Sequence, residues 1–495
     1  MIEPRRVVVV GSGPAGAAAA LFLCRAGVEV LLLEAGPERS DLGLTVRFRG
    51  FTVLKYRRQL KLREGVAATA DPTAQLFEEL APGGLSNHWS GAVPRFSAED
   101  FADGKRAGEP YAWPIGYDDV APWYERVEPL LHIAGASNGS PQLPAGNVLR
   151  ARNLRPDWMP LAEEARRVGR TLTAMPYAYG AETTLTFSGT VFNSFVRLIK
   201  PELRSRHLTV RYGARVLHLE WSRQARRVEA VIFRDAATGT ENRLPCRAVV
   251  LAAGAIGTPA ILLASSSTEF PDGLGNTHGV LGRYLHDHPL GKLTIDLDAP
   301  ISVHPASYLT RPTLDRSPPL YAAACMQWSG PELIARSIWR GSPGKLPWIG
   351  FSVFGTMAPS RDNWVALDPE RQRADGASGL KLHVAIPPKA REALDKARDD
   401  LVNALGRAGL KPRVRVWQVE PPGNSNHYGG SCRMHASPAF GVLDGRSRMH
   451  AVPNVAVADS SAFTTGPEKN PVLTAMALAA RAGHYLADDL TSGDL

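Results

Sequence analysis

The chain has 495 residues and a formal net charge of +9, with 44% hydrophobic and 21% charged residues, a balance that excludes a disordered, collagen-like or coiled-coil protein. Its length allows about two to four domains, and no apolar run approaches the roughly 20 residues needed to cross a bilayer. The positive excess is mild and its densest stretch, Arg197 to Arg227, is interleaved with apolar residues, so neither membrane insertion nor nucleic acid binding is expected.

Arg5 and Arg6 precede an apolar stretch as in an export signal, but Val7 to Val10 runs straight into Gly-Ser-Gly, which reads as a buried strand entering a turn. The four cysteines (Cys24, Cys246, Cys325, Cys432) lie far apart with no Cys-x-x-Cys; a reducing cytoplasm suits them better than a disulfide framework. Val7 to Val10 is uninterrupted and β-branched, Ala15 to Arg25 has helical composition, and Val28 to Leu33 forms a second apolar strand after Gly27. This is a βαβ unit with Gly11, Gly13 and Gly16 at its turn. Gly11 permits the tight turn, Gly13 lets backbone N–H groups approach a pyrophosphate, and Gly16 lets helix and strand pack closely. Glu34 follows 18 residues after Gly16, where a carboxylate accepts from a ribose hydroxyl and disfavours a 2′-phosphate. FAD or NAD is therefore expected rather than NADP.

Further along, APGGLSNHWSGAVPRF carries Gly83-Gly84 and the cluster Asn87-His88-Trp89-Ser90, suited to close backbone approach to a flat ligand. A helix is expected from about Asp118. From Leu208 the apolar and polar residues alternate, which reads as a β-meander. Ala248 to Leu251 is another parallel-type strand, followed by a helix with Pro259 near its first turn. Between about Ala299 and Lys411 the composition turns Pro-rich and aromatic, with strands at Trp348 to Phe354 and Leu380 to Ile386 and a charged helix from Lys389 to Ala408. This span is expected to belong to a second domain inserted into the first. Asn454 to Asp459 reads as a short strand ending in an acid, and Asn470-Pro471 opens a helix whose N-terminus favours negative charge.

Four separated segments resemble the glucose-methanol-choline (GMC) oxidoreductase family of FAD enzymes: the fingerprint with Glu34, GAIGTP at Gly254 to Pro259, LGRYLHDHP at Leu281 to Pro289, and the stretch from His427 through Asn470-Pro471. WVALDPE at Trp364 to Glu370 is similar to that family's substrate-domain sheet, and the likeness spans nearly the whole chain in the expected order. It implies an α/β fold, with a Rossmann-like FAD-binding domain (1–95, 204–290 and 423–495) and an inserted α+β substrate domain on a largely antiparallel sheet (96–203 and 291–422). Within the family, PGGLSNHWSGAVPRF and NPVLTAMALA are similar to the pyranose oxidase branch. There a Thr-His-Trp segment carries a histidine bonded to the flavin C8 methyl, which points to His88 as an attachment residue and sets Ser90 near flavin N5. The likeness departs at Arg433-Met434-His435, where His435 replaces the family's usual glycine.

Carried over residue by residue, the resemblance implies FAD contacts at Gly11, Gly13, Pro14, Ala15, Gly16, Glu34 and Ala35 from the first unit. It adds Gly83, Gly84, Asn87, His88 and Ser90 from the loop, and Val216, Ala253 and Gly254 from the middle of the chain. From the C-terminal part come Asp459, Ser460, Asn470, Pro471 and Thr474. Moving a hydride from an alcohol carbon to flavin N5 needs a base for the hydroxyl proton and a donor for its oxygen. An imidazole suits the base role. His427 matches the family's active-site histidine, and Asn470 matches its second donor, a plain helix cap being the alternative. The expected substrate is a sugar, glycoside or polyol, with O2 or another electron acceptor. A nonsugar alcohol (aryl, sterol or choline-like) and a lyase with structural FAD are the alternatives. His286 and His288 flank Asp287 without a third ligand at useful spacing, so no metal is expected. Cys432 beside Arg433 reads as a buried small residue rather than a reactive thiol. Oligomeric state is not legible.

Overall fold

The computed structural model describes residues 7–39, 61–178, 192–303, 305–312, 320–327, 345–493 and 495. Arg5 and Arg6 lie outside them. Its first layer is a five-stranded parallel sheet centred on Val7–Val10. Val30–Leu33 and Ala248–Leu251 flank that strand, with Val7 opposite both Val30 and Ala248. Leu208–Arg211 and Val455–Val457 form the edges. The three inner strands are unbroken apolar runs because both their faces are covered, and all their residues are buried.

The helix Pro14–Arg25 starts with proline at its first position, where the missing N–H costs nothing. It packs on the long C-terminal helix Val472–Ser492. Alanines 17–20 are wholly buried, and a Cβ on Gly483 would come within 3.1 Å of the Ala19 carbonyl. Small residues thus set the close approach of the two helices. The expected meander is shorter than the alternation suggested. Leu208–Arg211 instead joins the parallel sheet beside Val30–Leu33, and only Ala214–Ser222, Arg227–Asp235 and Glu241–Pro245 pair antiparallel. An edge strand exposes one side, so it alternates just as a meander strand does.

The helix after Ala248–Leu251 spans Gly254–Ala264, one turn earlier than Pro259 suggested. Pro259 therefore sits inside it and cannot bond the Ala255 carbonyl. Ser431 Oγ supplies the missing donor at 2.5 Å.

The second layer is a six-stranded antiparallel sheet in the order Arg413–Val419, Leu290–Ser302, Lys345–Gly355, Ala323–Gln327, Ser307–Leu309, Leu172–Ala174. The helix Pro388–Arg407 lays an Ala390, Leu394, Ala397, Leu401, Ala404, Leu405 stripe on Leu293, Ile295, Phe351 and Val353. That spacing is one face of an α-helix, and each fully buried leucine contributes about 1.5–3 kcal/mol. Side chains alternate along a strand, so Lys292, Ser352 and Phe354 lie on the other face and line a cavity. A third, three-stranded sheet pairs Val66–Ala68 parallel to Ser378–His383, which pairs antiparallel to Trp364–Gln372.

Candidate active site

A continuous cavity of about 500 Å3 lies between the parallel sheet and the six-stranded sheet. Its wall includes the turn Gly11–Ala15, Glu34 and Ala35, and also His427, Asn470, Lys292 and Phe354. The turn shows why its glycines are there. Gly11 has φ +96°, and a Cβ on it would press to 2.6 Å of the Ala252 carbonyl. A Cβ on Gly16 would overlap the Gly11 carbonyl, so Gly16 serves packing and lies behind the wall. At Gly13 and Gly254 a Cβ would meet no protein atom within 4 Å; both border the cavity, so their bare backbone leaves room for a ligand.

Glu34 is 5% exposed. It accepts from Ser12 Oγ, from Ser12 N at 3.2 Å and from Gly36 N at 2.7 Å. Burial pushes its carboxyl up, while those donors and Arg215 oppose the shift. Asp459 is buried as well, not a surface acid at a strand end. It accepts from Gly254 N at 2.9 Å, Thr258 Oγ1 at 2.6 Å and Ser461 N at 2.8 Å. The carboxylate thus joins the end of Val455–Val457 to the start of the Gly254–Ala264 helix.

Of the other predicted contacts, Pro14, Ala15, Gly84, His88, Ser90, Val216, Ala253, Ser460 and Pro471 line the cavity. Gly83, Asn87 and Thr474 do not. Gly83 donates its N–H to Ser12 Oγ at 3.0 Å, Asn87 donates to the Pro82 and Gly84 carbonyls, and Thr474 is bonded to the Tyr124 hydroxyl at 2.7 Å. These three brace the wall from outside. His88 Nε2 meets Glu79 at 2.5 Å.

At the far part of the cavity, the Asn470 amide donates to His427 Nε2 at 3.1 Å. Asn470 is not a helix cap: the helix begins at Val472 with no side-chain cap. The segment before it is pinned by Lys469, whose ammonium is buried against Asp100. Burial, and after it the Lys292 ammonium, push the His427 imidazole down to about 3, so the ring is a neutral base at physiological pH. Phe354 packs on it at 5.1 Å between centroids.

The tripeptide His286-Asp287-His288 supports this histidine. Asp287 accepts from Ser425 Oγ and from the N–H groups of Gly423 and His427, each of the latter at 3.0 Å. His286 pairs with Gly429 through the backbone, and its ring explains the two glycines after Tyr428. Cβ atoms on Gly429 and Gly430 would come to 2.8 and 2.5 Å of it. His288 Nδ1 meets His427 Nδ1 at 2.9 Å. Sequence reasoning missed Lys292 and the bond from His288, because neither carries a local signature. His435 is buried, binds the Glu109 carbonyl at 2.9 Å and accepts from Ser437 N, so the bulk in place of glycine ties two loops together. All four cysteines are free and buried, and burial pushes the Cys432 thiol up.

Comparison with known proteins agrees with this geometry. The model for an FAD binding domain matches residues 5–80, and two models described as GMC oxidoreductase match 109–290 and 359–479. The chain is 27% identical to the 2-methyl-1,2-propanediol dehydrogenase of Mycolicibacterium austroafricanum, covering 97% of this chain and 95% of that one. It is likewise 27% identical to the paromamine 6'-oxidase of Streptomyces fradiae, over 98% and 92%. A C-glycoside 3-oxidase of Arthrobacter globiformis is 30% identical over 53% of this chain and 50% of its own. The crystal structure of pyridoxine 4-oxidase from Mesorbium loti superimposes with a TM-score of 0.68 at 18% identity, covering 97% and 98%. Fold and site define an FAD-dependent oxidoreductase acting on CH–OH donors. The chain belongs to the glucose-methanol-choline oxidoreductase family.

The residues present fit FAD: the open face of Gly13 and Gly254, the buried Glu34 acceptor and the helix start at Pro14 all border one cavity.

Proposed function

We propose that the protein oxidises a hydroxyl of a sugar, glycoside or related polyol to a carbonyl, with His427 as the base. Bound FAD supplies the hydride acceptor. The substrate hydroxyl replaces the Asn470 amide on the single lone pair of His427 Nε2, which takes the hydroxyl proton; the released Asn470 N–H turns to the same oxygen, and Lys292 with Ser352 presents polar groups to the remaining hydroxyls. The observation that carries the reading is His427 Nε2 beside the Asn470 amide in the cavity that Glu34 and Gly13 also line. The relatives named for a diol, an aminoglycoside and a C-glycoside support the polyhydroxy class. Substrate choice falls to the six-stranded sheet and its surroundings, within 96–203 and 291–422. O2 or another acceptor then takes the electrons. Four free cysteines and no helix long and apolar enough to cross a membrane among the described residues support work in the cytoplasm. FAD is held covalently through His88, which lines the cavity with its Nε2 fixed by Glu79.

The test is anaerobic bleaching of the flavin by a panel of sugars, glycosides and diols beside aryl alcohols, sterols and choline. Bleaching by the first group is expected; bleaching by the second alone overturns the polyhydroxy reading. Acid precipitation of the same sample is expected to leave the colour in the pellet. A colourless pellet overturns the attachment.

A further inference from the structure

We propose that His288 is a positioning residue that fixes the proton of His427 on Nδ1 and leaves Nε2 bare for the alcohol. The inference rests on His427 being the base through Nε2 and goes beyond it by assigning the residue that selects that nitrogen. A neutral imidazole carries one proton, on either nitrogen, and which one is set by the partner of the other.

The two rings face each other through like atoms, Nδ1 to Nδ1 at 2.9 Å, with planes 75° apart. One of the two must donate and the other accept. The far side of the His427 ring decides between them. The Asn470 amide nitrogen lies 3.1 Å from His427 Nε2 and can only donate, so Nε2 carries no proton. The neutral His427 ring then holds its proton on Nδ1 and donates it to a bare His288 Nδ1. His288 in turn keeps its own proton on Nε2, the nitrogen that a Cβ on Gly466 would approach to 3.7 Å.

The pair is neutral as it stands. His288 is buried and His427 is partly buried at the cavity wall, and desolvation leads the downward shift at each. The charged groups facing them are Lys292 and Asp287. Lys292 is turned to Ser352 with Glu420 behind it, and Asp287 is engaged by Gly423, Ser425 and the His427 main chain. His286 bonds the Tyr284 carbonyl. None of these contacts reaches His427 Nδ1. When Nε2 takes the proton, the Nδ1–H still donates to His288, so the acceptor is present before and after transfer. A carboxylate in that place would stabilise the cation more strongly; a neutral imidazole orients the ring without raising its basicity as far.

The experiment uses the holoenzyme and reads the anaerobic flavin reduction rate, substrate Kd and flavin content for the wild type, His288→Leu, His288→Asn and His427→Asn. Leucine cannot accept, and reduction is expected to slow about 10- to 1,000-fold with Kd and flavin content within about threefold. Asparagine places an amide oxygen near the lost Nδ1 and is expected to recover the rate to within about tenfold of wild type. If His288→Leu keeps its rate within about threefold while His427→Asn collapses, the positioning role is overturned and the base stands. If His427→Asn itself keeps its rate, the base assignment falls instead. A wild-type measurement does not depend on any variant folding. Nitrogen-15 NMR of the histidine-labelled holoenzyme is expected to show the His427 ring protonated on Nδ1 and bare on Nε2. The reverse pattern overturns the proposal.

Discussion

At the scale of the residue, the site works by withholding charge. His427 is held neutral by burial and by the Lys292 ammonium, and Lys292 acts from the sheet face opposite the one packed under the Pro388–Arg407 helix. This gives a pH prediction. The charged groups facing His427 are Lys292 and Asp287, with Glu420 partly offsetting the lysine. Replacing Lys292 by methionine removes a cation that lowers the imidazole, so its pKa rises. Since the protonated ring cannot accept the alcohol's proton, the acidic limb of flavin reduction moves to higher pH. A pH profile of the single-turnover rate checks this, and an unmoved limb contradicts it.

At the scale of the element, two neighbouring glycines do different work. Gly11→Ala forces a Cβ into the Ala252 carbonyl at a left-handed φ and should cost about 1–3 kcal/mol of folding stability. Gly13→Val meets no protein atom at its Cβ, so thermal unfolding of the flavin-free protein should change little while FAD content falls. Full flavin in Gly13→Val would contradict the cradle. The βαβ unit and its Glu34 were legible because strand, turn, helix and acid lie within one short window and each has a local steric reason. The edge strand Leu208–Arg211 was not, since alternation alone does not tell a parallel edge from a hairpin. The start of the Gly254–Ala264 helix was misjudged because Pro259 depends on a hydroxyl from Ser431, far away in sequence. Likewise, His288 and His427 are 139 positions apart, and no periodicity reports which distant loop a ring will face. Asn470 carried two readings in the sequence, second donor and helix cap; the helix begins at Val472 with no side-chain cap, and the Asn470 amide bonds His427.

At the scale of the whole molecule, a parallel sheet supplies the glycine turn and an antiparallel sheet supplies the polar floor, and the loop carrying His427 lines the cavity between them. The tripeptide His286-Asp287-His288 precedes the strand Leu290–Ser302 and bonds the 423–430 loop, so one short segment joins the floor to the His427 ring. FAD bound between the sheets should stabilise both against unfolding, because a ligand held only by the folded state shifts the equilibrium by mass action. The proposal that His427 takes the proton of a substrate alcohol in this shared cavity stands or falls on the anaerobic flavin reduction rate of His427→Asn with saturating substrate. A fall of roughly 10²- to 10⁴-fold with flavin still bound is expected; a rate within about threefold of wild type would overturn it.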